Sequence, residues 1–257
     1  MLSKNKIKYI RSLRTKKYRD EYKQFICEGN KIVRDLLNSR MKICSIIATN
    51  SWLESNPEVI NSFKNEIINV STDELSKISL LKNTPDVLAV VDYSTTKVNI
   101  NEIINKLSIV LDNVQDPGNL GTIIRTADWF GIENIFCSND SVDVYNPKVV
   151  QASMGAIARI NVHYVILESF LIKYSNESKI PVYGTYLEGN NIFQQNLTKN
   201  GLIVFGNEGS GISAKFESLI KNKLYIPNYP STRKTSESLN VATAVSVVCS
   251  EFRRRNQ

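Results

Sequence analysis

Three stretches in the C-terminal part of this chain share one grammar, in which a short apolar run stops at a loop of Gly, Asn, Pro, Ser and charged residues. They are Leu111–Ile132 (LDNVQDPGNLGTIIRTADWFGI), Ile203–Ser213 (IVFGNEGSGIS) and Tyr225–Glu251 (YIPNYPSTRKTSESLNVATAVSVVCSE). In the first and third, a helical run follows the loop. Short apolar runs bounded by such loops are buried strands. Strands alternating with helices build a mainly parallel sheet covered on both faces. In such sheets, ligands sit where loops converge at the carboxyl ends of the strands. Loops of this kind in one domain predict a compact ligand and a chemical step.

The pattern extends along the chain. In the first third, strands are expected at Phe25–Glu28, Ile43–Thr49 and Val87–Tyr93, with a helix over Gly29–Ser39. Ser71–Glu74 (STDE) is a capping box that opens a short helix, Thr72–Ile78. This makes a small α/β domain, residues 1–93, and the polar residues 94–104 read as a linker. The second domain, residues 105–257, has expected strands at Ser108–Val114, Asn134–Cys137, Asn161–Val165, Pro181–Thr185, Leu202–Phe205 and Lys223–Ile226. Its expected helices are Leu120–Phe130, Val149–Ala158, Glu168–Tyr174 and Leu239–Arg254. Val241, Val245 and Val248 form one apolar stripe on the last helix, a surface available to a second copy or to the domain's own sheet.

Charge is uneven. Residues 1–93 hold 16 Lys/Arg against 11 Asp/Glu, and the rest of the chain 16 against 14. Eight basic residues and no acidic one lie between Lys4 and Arg19, a stripe that suits a polyanion or a solvated helix face. The four cysteines are far apart, with no C-x-x-C, and read as small core residues of a protein in a reducing compartment. A single histidine, His163, argues against a zinc site or a Ser-His-Asp triad, so no metal is expected. No apolar run approaches the roughly 20 residues of a membrane helix. The basic N-terminal stretch lacks the apolar run of a signal peptide. The expectation is a cytoplasmic protein without membrane contact.

The loop Gly206–Gly211 (GNEGSG) fits neither common nucleotide fingerprint. Its glycines run G-x-x-G-x-G rather than G-x-G-x-x-G, and Ile212 stands where a Walker A loop needs lysine. Glycines there allow close backbone approach to a ligand, or simply a tight turn. Arg125 follows Gly121 by about one helical turn. That places it near a helix start, where it suits a phosphate or carboxylate or pairs with Asp112 or Asp128. Ser238 or Asn240 can be the N-cap of the final helix.

Taken together and in order, these segments resemble the SpoU/TrmH group of the SPOUT RNA methyltransferases. That group is marked by N-x-G-x-x-x-R-T-A, G-x-E-x-x-G and I-P…S-L-N-V, here Asn119–Ala127, Gly206–Gly211 and Ile226-Pro227…Ser238–Val241. Lys16–Gly29 (KKYRDEYKQFICEG) is similar to the start of the substrate-binding domain fused to many rRNA-modifying members. The resemblance covers nearly the whole chain. In many relatives a shorter, Gly-containing stretch joins I-P to S-L-N. Here ten residues intervene, Asn228–Glu237, with Arg233 and Lys234 among them.

The resemblance implies a knotted, parallel-sheet SPOUT methyltransferase domain preceded by a small α/β RNA-binding domain. It implies an S-adenosylmethionine-dependent ribose 2′-O-methyltransferase acting on rRNA. A tRNA enzyme, or a non-catalytic RNA-binding protein of the same fold, is the alternative. The cofactor would lie against Gly206, Ile226 and Leu239, and the active site would be assembled across a homodimer. Arg125, Asn119, Glu208, Ser238 and Asn240 would carry catalysis, with Arg125 either as base or as holder of a phosphate and the reacting hydroxyl. Lys16, Lys17, Arg19, Arg233 and Lys234 would meet RNA.

Overall fold

The basic N-terminal stretch is helical. In the computed structural model, which describes residues 2–94, 99–177, 180–230 and 236–254, the Ser3 hydroxyl accepts from the Lys6 amide and starts α1 (Lys4–Ser12). α2 (Lys16–Tyr22) follows and ends at Lys23, whose left-handed backbone turns the chain into β1 (Gln24–Glu28). Then come α3 (Asn30–Leu37), β2 (Ile43–Thr49), α4 (Asn50–Glu54), α5 (Pro57–Ser62), β3 (Glu66–Val70), α6 (Thr72–Ser76) and β4 (Val87–Asp92). The capping box at Ser71–Glu74 is present in both directions. These strands form a mixed sheet in the order β1-β4-β2-β3. Its core includes Ile10 of α1, its C-cap Leu13, Ile47 and Leu88.

After α7 (Ile100–Ile103) the second sheet begins, with β5 (Leu107–Leu111), α8 (Pro117–Trp129) and β6 (Asn134–Ser138). α9 (Pro147–Ala152) comes next, followed by β7 (Asn161–Val165), α10 (Leu167–Glu177), β8 (Val182–Asn191), β9 (Gly201–Phe205), β10 (Asn222–Tyr225) and α11 (Val241–Arg254). The strand order is β10-β8-β9-β5-β6-β7, and every neighbouring pair is parallel. Parallel strands buried on both faces need continuous apolar runs, and β5 (LSIVL) and β9 (GLIVF) are fully buried.

The chain packs as two compact units. One holds the described residues of Met1–Thr95 with Asp143–Arg159, and the other those of Thr96–Val142 and Ile160–Gln257. Asp143–Arg159, on the far side of the sequence boundary at 105, therefore packs with the N-terminal residues. Tyr145 stacks on Tyr93 at 4.0 Å between ring centres and lies 4.5 Å from Phe25. A fragment cut near residue 95 would keep this segment and lose what it packs on. The helix expected over Val149–Ala158 stops at Ala152 because Met154 and Gly155 have φ of 51° and 92°. A side chain at Gly155 would be strained by that φ and would push aside the Asp35 carboxylate, whose oxygen would stand 2.1 Å from the Cβ.

Arg19 corrects the expectation of RNA contact. It is 2% exposed, and its guanidinium donates to Asp143 Oδ2 at 2.7 and 3.2 Å and to the carbonyls of Leu13 and Arg14. A buried fork with its donors engaged in this way is an internal clamp, closed to a phosphate. Lys16 and Lys17 remain exposed on α2. Arg233 and Lys234 lie outside the described residues. The valine stripe of α11 also faces inward, with Val241 at 6% and Val245 and Val248 at 0% exposure. It serves its own unit's core. His163 is buried, stacked on Phe136, and burial lowers its pKa.

Candidate active site

The carboxyl ends of β5 and β9 are neighbours, with Leu111 opposite Phe205, so the loops that leave them start side by side. Polar groups then fasten loop to loop. The Asp112 amide donates to the Phe205 carbonyl at 2.9 Å, and its buried carboxylate accepts from the Ser213 amide at 2.7 Å. Asn207 and Gly211 exchange backbone hydrogen bonds of 3.0 and 2.9 Å, closing Gly206–Gly211 into a tight bend. The Asn207 side chain accepts from the amides of Gly209 and Ser210 and donates to the Asn113 carbonyl at 2.9 Å. Gly206 has to be glycine, because a Cβ there would lie 2.0 Å from the Gly211 carbonyl carbon. This bend presents Glu208 at its exposed tip.

Two helix starts meet Glu208. Asp116 caps α8 by accepting from the Asn119 amide at 2.8 Å, with Pro117 as the first helical residue. Asn240 caps α11, its side-chain oxygen accepting from the amides of Ala242 and Thr243. The Asn119 amide group joins the three loops, donating to Glu208 Oε1 at 2.5 Å and accepting from Asn240 Nδ2 at 2.9 Å. Thr126 and Ser246 (3.2 Å) tie α8 to α11. Arg253 then donates to the Phe130 and Gly131 carbonyls that end α8.

Beside this network lies a cleft of about 1010 Å³, large enough for a nucleoside-sized ligand. Gly206, Ile226 and Leu239, the expected cofactor contacts, all line it, as do Glu208 and Ser238. Asn119 and Asn240 are not part of the lining; Asn119 is bonded to Glu208 and Asn240 to Asn119. Arg125 is exposed on α8, outside that lining, and makes no hydrogen bond or ion pair with the described residues. The pairings with Asp112 or Asp128 allowed by the sequence do not form.

The far wall was missed in the sequence. Pairing of β10 with β8 shifts between Lys223 and Leu224, from Gly184 to Asn190, leaving the intervening residues of β8 off the ladder. Thr185–Glu188 line the cleft with Lys223 and Glu217. Lys223 and Glu217 form an ion pair, which holds the Glu217 carboxyl below its ordinary range and the Lys223 ammonium above it. The strand was expected to stop at Thr185, and nothing in its short-range pattern signals a bulge. The scaffold residues Asp112 and Asn207 sit inside recognised segments, but only their partners reveal their work. Among the described residues no group of three or more His, Cys, Asp and Glu could hold a metal ion. No described helix is long and apolar enough to cross a membrane.

Comparison with known proteins matches two stretches of the chain. Residues 106–250, more than half of the chain, match the model of the SpoU rRNA methylase family. Residues 4–89 match an MRM3-like substrate binding domain. The 23S rRNA (guanosine(2553)-2′-O)-methyltransferase of Bacillus subtilis is 28% identical over 96% of this chain and 96% of its own length. A solved TrmH-family protein of Porphyromonas gingivalis is 37% identical, with a TM-score of 0.89 over 99% of both chains. A solved rRNA methyltransferase of Sinorhizobium meliloti, bound to S-adenosylmethionine, is 27% identical, with a TM-score of 0.88 over 100% of this chain and 97% of its own.

Proposed function

The chain belongs to the SpoU rRNA methylase family, and we propose that it transfers a methyl group from S-adenosylmethionine to a ribose 2′-hydroxyl of ribosomal RNA. The observation that carries this reading is the junction of the three motif loops at Asn119, against a cleft lined by Gly206, Ile226 and Leu239. The lining also fits the cofactor's charge. Among the described residues it holds the carboxylates of Glu188, Glu208, Glu217 and Glu237 and one lysine, Lys223, which favours a ligand bearing sulfonium and ammonium groups. Leu239, 47% exposed, offers apolar surface to a nucleobase.

Gly206, Ile226 and Leu239 would hold the cofactor, which supplies an electrophilic methyl group. The chain's own task is to align the ribose oxygen and to ease loss of its proton. Asn119 and Asn240 act as positioning residues that hold Glu208 and its loop against the cleft. Ser238, also on the cleft, hydrogen-bonds the target nucleotide. Arg125 holds a phosphate next to the target ribose and polarises the hydroxyl. It does not serve as the base, because a guanidinium scarcely deprotonates.

The reading includes a homodimer. Arg125 stands outside the lining of its own cleft, its side chain without a polar partner among the described residues, and Trp129, one turn further along α8, is 85% exposed. Both features suit a site completed by a second copy. The reading also includes the family's C-terminal trefoil knot. It is supported by the order β10-β8-β9, in which the chain leaves β9 and returns beyond β8. The reading includes a cytoplasmic location, where an rRNA substrate would be met. Exposed Lys16 and Lys17 contact RNA on the N-terminal unit, and Arg233 and Lys234 also contact it.

The test is methylation of protein-free 23S rRNA and of tRNA with labelled cofactor, followed by mapping of the 2′-O-methyl nucleotide. Arg125→Ala should abolish single-turnover transfer while melting as wild type does, since it removes no side-chain hydrogen bond or ion pair with the described residues. Label in tRNA alone would overturn the rRNA assignment. Activity of the Ala variant within a few-fold of wild type would overturn the role given to Arg125.

A further inference from the structure

Of the eight basic residues between Lys4 and Arg19, the fold employs three internally. Lys6 pairs with Glu66 at 2.6 Å, Arg14 donates to the Ser79 carbonyl at 2.7 Å, and Arg19 clamps Asp143. Lys4, Lys8 and Arg11 differ. Each is exposed, and none of their side chains makes a hydrogen bond or ion pair with the described residues. At about 100° per residue, Lys8 stands about 40° and Arg11 about 20° from Lys4 around the axis of α1. The three therefore form one stripe, about 10 Å long at 1.5 Å per residue. Ile10 and Leu13 on the opposite face are fully buried, so the stripe is fixed outward.

Like charges at these spacings disfavour an isolated helix. No acidic residue precedes Asp20 in the sequence to relieve them. The crowding extends inward, where burial first and the Arg11 charge second hold the Arg14 guanidinium below its ordinary range. α2 is a weaker candidate, because it exposes Asp20 and Glu21 together with Lys16 and Lys17.

We propose that Lys4, Lys8 and Arg11 are the phosphate-contacting track of the N-terminal unit, gripping the backbone of the RNA substrate. This rests on the methyltransferase reading above and adds which helix face meets the RNA. Separated point charges hold phosphates and read no bases, so the track supplies affinity and register while sequence choice lies elsewhere.

The test compares the full-length wild type, the triple variant Lys4→Gln/Lys8→Gln/Arg11→Gln and the double variant Lys16→Gln/Lys17→Gln. Binding to a protein-free 23S rRNA transcript is measured across a salt series. Each phosphate contact contributes roughly 0.7 to 0.9 to the log–log salt slope. The triple variant should flatten that slope by about 2 to 3, lowering affinity roughly 100-fold or more near 0.1 M salt. The double variant should change both less. S-adenosylmethionine binding by calorimetry and the melting temperature should stay at wild-type values in the triple variant, since Gln is a good helix former and none of the three lines the cleft. If the triple variant melts early, the three single variants replace it, each expected to flatten the slope by roughly 0.7 to 0.9. A wild type that methylates and binds RNA, with triple or single variants that match it in slope and affinity, overturns the track and leaves the enzyme assignment standing. A larger loss in the double variant also overturns it. A wild type with neither transfer nor RNA binding overturns both.

Discussion

Replacing Gly206 by alanine asks whether the bend at Gly206–Gly211 is what holds the cofactor. The new Cβ would stand 2.0, 2.2 and 2.3 Å from the Gly211 carbonyl carbon, the Ile212 nitrogen and the Gly211 oxygen. All three are backbone atoms, so no side chain can swing away and the bend must open. Opening breaks the two hydrogen bonds between Asn207 and Gly211, each worth about 1 kcal/mol. It also strains the bonds from Asn207 to Gly209 and Ser210. A loss of about 2 to 3 kcal/mol in the closed bend should raise the dissociation constant of S-adenosylmethionine roughly 30- to 150-fold. Two neighbours act as internal controls. Gly211 has open space around its Cβ position but a φ of +69°, so Gly211→Ala should cost only the left-handed strain of about 1 kcal/mol. Gly209 meets nothing nearer than 3.5 Å at ordinary φ, and Gly209→Ala should bind within about threefold of wild type. Titration calorimetry on the three folded variants gives the ranking. Binding by Gly206→Ala within about threefold of wild type, or equal damage at Gly209, would refute the reasoning.

Asp143→Ala should destabilise the N-terminal unit by about 3 kcal/mol, the low end for removing one partner of a buried ion pair. Denaturant unfolding checks this, and a loss below about 1 kcal/mol would mean the Arg19 clamp is replaceable. Cys44 should label slowly in the native protein. Burial first, then its hydrogen bond to Asp92, pushes its thiol up to about 11, leaving a thiolate fraction on the order of one in a thousand at pH 8. Its alkylation rate should therefore climb about tenfold per pH unit below 11, and a fast, pH-independent reaction would contradict that environment. Trp129→Glu should convert the proposed homodimer to monomer by light scattering and abolish transfer, and a fully active monomer would remove the dimer from the mechanism.

The two-part α/β plan and the parallel sheet were legible because local signals carry them. The apolar run Ile203–Phe205 can only be a buried strand, and the Ser71 capping box and the Pro117 helix start are short-range chemistry that survives any packing. The site was legible as a set of motifs. Gly206 and Ile226 follow the parallel strands β9 and β10, and with Leu239, just before α11, they line one cleft.

The rest required coordinates. Arg19 and Lys17 are indistinguishable as basic residues two positions apart, yet one is exposed and the other is buried against an aspartate 124 residues away. Asp143–Arg159 reads as part of the second domain and packs with the first, because its aromatic and basic partners, Phe25, Tyr93 and Arg19, lie early in the chain. Asn119 was picked out as catalytic, but its two bonds to Glu208 and Asn240 span 89 and 121 residues. Periodicity and caps are set by neighbours along the chain, so the sequence alone determines them. Burial, ion pairing and the joining of distant loops depend on which surfaces the folded backbone brings together, and only the tertiary structure decides those.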